Sequence, residues 1–182
     1  MKRILLIILI GVMLFPCAVK GQNIQGVKTS TDILLFVPSV VGFCKVMAEE
    51  DYQGLWQLAA SDATAVALAY LLKYTVPKER PDGSDSHSFC SNHAAASFAG
   101  AAFLQRRYGW AWGAPAYAVA AYVSWGRVYS QRHDWWDVIL GAAIGVGSAY
   151  IYTKPFSKKY NVTIAPLMTP EGGCGVYFAM NF

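Results

Sequence analysis

The sequence predicts an all-α protein, a membrane-associated bundle of five to six helices followed by a short C-terminal β-hairpin. Three observations predict it. Apolar residues make up 55% of the 182 and charged residues 14%, against about 25% charged in average soluble domains. The mean hydropathy is +0.31. The apolar residues also fall into blocks of helical length, several dominated by Ala, Leu and Gly, with polar loops between them.

Residues 1–21 open with Lys2 and Arg3, continue apolar from Ile4 to Phe15 and reach small residues near Ala18 to Gly21. This is the layout of a secretory signal, or of a first membrane helix left in place. The apolar run is short for a span of about 20 residues, which favours the signal. Residues 22–160 form the helical domain. After a polar stretch, Gln22 to Thr31, the helices are expected at Asp32–Ala48, Leu55–Tyr74, Ser91–Gln105, Pro115–Tyr129 and Asp134–Tyr152. Ala94, Ala95, Ala96 and Ala99 allow close helix approach. The third block, and the fifth beyond Asp137, are apolar nearly all round, as in a membrane span or a buried helix. Residues 161–182 change character: NVTIAPLM and GVYFAMNF read as two strands around a turn at Glu171-Gly172-Gly173. One hairpin cannot close a membrane barrel, so it is expected to pack on the bundle.

The net charge of +4 belongs mostly to the first segment. Without Lys2, Arg3 and Lys20, 12 basic residues face 11 acidic ones, and no basic stripe suggests nucleic acid. Cys44, Cys90 and Cys174 lack both a disulfide pattern and metal-ligand spacing, so neither a metal nor another cofactor is expected. Arg106 and Arg107 follow the third block, and Lys154, Lys158 and Lys159 follow the fifth. Alternating spans put both groups on one side, as the positive-inside rule asks of a cytoplasmic face. The loops after blocks two and four then share the exported face.

Those two loops hold most of the reactive side chains. KYTVPKERPDGSDSHSFCSNH and WGRVYSQRHDWWD supply Lys73, Arg80, Ser91, Asn92, His93, Arg127, His133 and Asp137. Three cations beside two histidines suit a bound dianion better than they suit bundle stability. Arg80 and Arg127 can fork onto phosphate oxygens, and Lys73 adds a point charge. Ser91 is placed to cap a helix whose free N–H groups form an anion site. His133 and Asp137, four apart, share a helix face. A carboxylate on one imidazole nitrogen fixes the tautomer and leaves the other nitrogen nucleophilic. His93 is placed to protonate a leaving alcohol. His87, and the loop residues Asp82, Ser84, Asp85 and Ser86, read as solvated.

The spacing resembles the type 2 phosphatidic acid phosphatase superfamily, which includes bacterial acid phosphatases and vanadium haloperoxidases. Lys73 with Arg80-Pro81 matches the first motif, and Cys90-Ser91-Asn92-His93 partly matches Pro-Ser-Gly-His. Gly126-Arg127 with His133 and Asp137 matches the third. The resemblance implies His133 as nucleophile with Asp137 as its partner and His93 as the acid. It implies phosphate binding by Lys73, Arg80, Ser91 and Arg127, and at the backbone of Asn92. It departs at three places. Gly126 replaces a serine hydroxyl donor, Cys90 replaces a proline and loosens the helix start, and Asn92 replaces a glycine and adds bulk. These departures predict a reduced or altered activity.

The expected function is hydrolysis of a phosphate monoester or pyrophosphate, on a phosphorylated lipid or a small phosphoester. Phosphatidic acid, phosphatidylglycerol phosphate, undecaprenyl pyrophosphate and the phosphates of lipid A are candidates. The expected place is the bacterial inner membrane with the site facing the periplasm. Trp110, Trp112, Trp125, Trp135 and Trp136 are read as interface anchors. The alternatives are a soluble periplasmic acid phosphatase and a degenerate phosphate-binding member.

Overall fold

The structure is a computed structural model and describes residues 24–156 except 82, 84 and 85, with the backbone of two later strands. Among these residues the chain forms α1 (Ile24–Leu34), α2 (Val37–Ala48), α3 (Tyr52–Thr75), α4 (Asn92–Tyr108), α5 (Trp110–Tyr129) and α6 (Trp135–Tyr152). Strands β1 (Asn161–Met168) and β2 (Cys174–Asn181) then pair antiparallel from Asn161↔Asn181 to Met168↔Cys174. The segment 1–21, the hairpin turn and the packing of the hairpin on the bundle lie outside the described residues.

The block expected as one helix from Asp32 to Ala48 is two. The chain turns at Leu35–Phe36, just before Pro38. The stretch read as polar loop is helix α1. Its hydroxyls fold back on its own carbonyls, Thr29 onto Gln25 (3.0 Å), Ser30 onto Val27 (2.8 Å) and Thr31 onto Lys28 (2.9 Å). Such bonds satisfy polar groups but add little helix propensity. Packing against α5, through Val27, Thr31 and Leu34, supplies what propensity does not.

Helix α4 lies at the centre, touching α2, α3, α5 and α6. Ala94, Ala95, Ala99, Ala101 and Ala102 have no exposed surface. Gly141 and Gly145 bring α6 against it. A Cβ at Gly141 would stand 2.6 Å from the Ser91 carbonyl, and one at Gly145 would overlap the Ala95 carbonyl. At the lower end Phe103 and Leu104 are fully buried with Val46, Leu58 and Ala120.

The outer surface is apolar. Phe36, Val40, Phe43, Trp56, Leu71, Ile139 and Ile151 are exposed, and the stretches Ile24–Ala48 and Tyr52–Thr75 are long and apolar enough to cross a membrane. Outward apolar rows around a core of small residues suit a bundle solvated by lipid. The tryptophans divide. Trp110 stands exposed at one end and Trp135 and Trp136 at the other, but Trp112 is core, in one buried cluster with Ala116 and Val46.

The basic end needs a second correction. Arg107, counted among the basic residues that mark a cytoplasmic face, is buried. Its guanidinium clasps both oxygens of Asp51 and donates to Gln57 Oε1 (2.9 Å) and to the Lys154 carbonyl (2.8 Å). Arg107 and Lys154 do share one end, but Asp51 neutralises the arginine. A buried cation requires such pairing.

Candidate active site

At the opposite end, the loop between α3 and α4 is pinned by one parallel β-bridge between Lys78 and His87. The Lys78 N–H donates to the Ser86 carbonyl (3.0 Å), and the Ser88 N–H donates to the Lys78 carbonyl (2.8 Å). The bridge aims two side chains at Asp137. Lys78 Nζ reaches Oδ1 at 2.7 Å and Ser88 Oγ donates to Oδ2 at 2.8 Å. The Asp134 N–H also donates to Oδ2 (3.1 Å), closing a capping box on α6. Asp137 has no exposed surface. Burial alone would raise its pKa, but these donors hold it below the usual carboxylate range.

His133 sits one residue before the α6 N-cap, so it does not share a helix face with Asp137 as the four-residue spacing predicts. The two approach around the capping box instead, Nδ1 lying 3.8 Å from Oδ2. The closer partner of Nδ1 is the Ser88 carbonyl at 2.9 Å. A carbonyl only accepts, so Nδ1 carries the proton and Nε2 keeps its lone pair. Burial, then Arg127, pushes the His133 pKa down to about 4, and the ring is neutral at neutral pH.

Ser91 is the N-cap of α4, its Oγ accepting from the Ala94 N–H at 3.4 Å. The α6 N-terminus is filled by its own two carboxylates, whereas among the described residues the first α4 N–H groups meet only this hydroxyl, which suits an anion. Cys90 holds φ 64° in a fully buried turn packed on Ala69 and Ala95, a conformation the proline ring cannot adopt. Asn92 takes ordinary helical angles as the first residue of α4, and its buried Oδ1 has no partner among the described residues.

Arg127 is on the last turn of α5 and largely buried, with Nε unpartnered among the described residues. Its Nη1 donates to Asp32 Oδ1 at 2.7 Å, and His93 Nε2 meets the same oxygen at 2.9 Å. Burial, then Arg127, pushes the His93 pKa down to about 4, with Asp32 pulling the other way. Lys73 acts electrostatically on both histidines, and Arg80 acts on Arg127. His93 and Arg127 thus meet at Asp32, His133 and Asp137 meet beside Ser88, and Lys73 lies close enough to act on both histidines. Asp82, Ser84 and Asp85 lie outside the described residues, and His87 tilts against Tyr74 at 5.7 Å.

Asp32, Lys78 and Ser88 were not among them. A signal existed for Asp32, the first acidic residue in the chain and set in an apolar block, where a charge is expensive without a partner. Lys78 and Ser88 lie inside the motif gaps, where spacing carries no information.

A sequence profile described as the PAP2 superfamily matches residues 54–160. The chain belongs to this superfamily. All three PAP2 motifs, from Lys73 to Asp137, fall inside the match; α1 with Asp32 lies upstream of it. Among PAP2 relatives, the chain is 30% identical over 139 residues to a lipid A 4'-phosphatase of Helicobacter pylori, covering 70% of each protein. It is 34% identical over 98 residues to a lipid A 1-phosphatase of Porphyromonas gingivalis, covering 50% of this chain and 22% of that one. No solved structure gives a significant match.

Proposed function

We propose that this PAP2 protein is a lipid phosphatase that hydrolyses a phosphate monoester of lipid A or a related glycolipid. It works through a phosphohistidine at His133, on the periplasmic side of the bacterial inner membrane. Both named relatives act on lipid A phosphates by their names, and the exposed apolar rows and Trp135 and Trp136 beside the site suit a substrate held in a bilayer.

The observation that carries the reading is the His133 geometry. Nδ1–H is tied to the Ser88 carbonyl, and burial keeps the ring neutral. Nε2 attacks phosphorus. The P–O bond to the lipid breaks, and the alkoxide takes a proton from His93 as it leaves. Arg127, Arg80, Lys73 and the first α4 N–H groups take the charge of the transferring group. Neutral His93 then draws a proton from water, whose oxygen displaces His133 and releases inorganic phosphate. In this reading the protein cations do the work of a metal, and activity persists in chelator.

Acid-quench trapping of labelled phosphoenzyme from lipid A, comparing wild type with His133→Ala, tests the mechanism. Label is expected in the wild type alone. Turnover without label at any quench time, or equal label in both proteins, would sink it.

A further inference from the structure

Asp32 lies outside the stretch that matches the PAP2 superfamily, yet one of its oxygens holds two site residues at once, His93 Nε2 at 2.9 Å and Arg127 Nη1 at 2.7 Å. A carboxylate only accepts, so His93 Nε2 carries a hydrogen and Nδ1 is the nitrogen left for exchange with substrate or water. One ring orientation then serves both halves of the reaction. Nδ1–H is the acid while the lipid oxygen departs, and bare Nδ1 is the base when water enters, with Nε2–H anchored throughout.

The packing explains how a residue of α1 gets there. Gly126 has no Cβ, and one placed there would overlap the Thr31 methyl and stand 3.1 Å from Val27 Cγ1. Thr31 is fully buried in that notch, and Ser30 Oγ bonds Tyr122 OH on α5 at 3.1 Å. With Thr31 seated at Gly126, the next residue meets the next residue, Asp32 on Arg127. The glycine that costs the site a serine hydroxyl is what admits the carboxylate.

We propose that Asp32 is a positioning residue for proton transfer: it fixes the tautomer of His93, favours its protonated form and holds the Arg127 fork. This rests on the reading of His93 as proton donor. The charged groups facing His93 are Asp32 from α1, Arg127 from α5 and Lys73 from α3. The first favours the imidazolium; the other two oppose it. A donor must be protonated, so activity falls as pH rises through its pKa. Removing the carboxylate lowers that pKa and moves the basic limb to lower pH.

The test uses the full chain in detergent with two substrates, dioctanoyl phosphatidic acid, whose alkoxide needs a proton, and p-nitrophenyl phosphate, whose leaving group does not. Asp32→Asn is expected to lower kcat on the alkyl substrate by about 10- to 100-fold, within the range of general acid catalysis. It is expected to do far less on the nitrophenyl ester and to move the basic limb down. Asp32→Glu should recover part of the loss, and Gly126→Ser, which wedges α1 away, should reproduce the selectivity. Equal losses on both esters with an unmoved limb would mean packing alone and overturn the proposal. A rise in activity on Asp32→Asn would also overturn it, showing that the carboxylate competes with phosphate. If His93→Ala spares the alkyl substrate, the proton-donor reading fails first, and separately.

Discussion

Replacing Asp137 by Asn removes one charge and almost no volume, and the structure sets the size of the effect. The Ser88 carbonyl, at 2.9 Å, holds the Nδ1–H of His133, while Asp137 stands 3.8 Å away. The tautomer therefore survives the substitution. What is lost is support for the positive charge that grows on the ring as Nε2 takes up phosphorus. At that separation a unit pair is worth about 4 kcal/mol with an effective dielectric near 20. Lys78, 2.7 Å from the same carboxylate and partly exposed, loses its partner with that charge and swings into water, so its own repulsion of the ring goes too and offsets much of the loss. A remainder of about 1.5–3 kcal/mol corresponds to a roughly 10- to 150-fold fall in kcat. Had Asp137 itself fixed the tautomer, the fall would be on the order of 10⁴. Single-turnover hydrolysis of dioctanoyl phosphatidic acid in detergent measures the loss, with a thermal melt to show that Asp137→Asn still folds. A 10⁴-fold fall in a protein that melts normally would refute the assignment of the tautomer to Ser88.

Two more outcomes follow from the same geometry. Cys90→Pro, which restores a family motif residue, should destabilise the bundle by about 3 kcal/mol or more, because φ 64° is closed to proline; an unchanged melting temperature would contradict this. Sulfate, a dianion that does not titrate near neutrality, should bind with uptake of a proton. His93 is neutral above about pH 4 in the empty site, and a neighbouring dianion raises its pKa. The complex then holds more protons than the free protein, and affinity should increase as pH falls from about 7 toward 5. Calorimetry in two buffers of different ionisation enthalpy reads the uptake; identical heats with a pH-independent affinity would contradict it.

The bundle was legible because apolar blocks of helical length have few other uses, and the hairpin because its strands are rich in β-formers around a Gly-Gly turn. The motif residues were legible because their spacing survives without knowledge of the fold. What escaped depends on contacts distant in sequence. Thr29, Ser30 and Thr31 are weak helix formers, and only docking on α5 makes them a helix. The expected His133–Asp137 bond yielded to a backbone carbonyl brought in from 45 residues away. Lys78 reaches Asp137 across 59 residues by way of a single β-bridge. Arg107 counted as a free cation of the cytoplasmic face because its partner Asp51 lies 56 residues upstream.

The seat of Thr31 at Gly126 also says something about mutational history. Positions 31 and 126 share one volume, so neither can change size alone. A lineage carrying this pair cannot regain the motif serine in one step without unseating α1, and a partner that trimmed Thr31 first would leave a gap until the serine arrived. Position by position, Gly126 counts as a loss from the motif. Taken as a pair with α1, it is an exchange, and the two helices are free to vary only in concert.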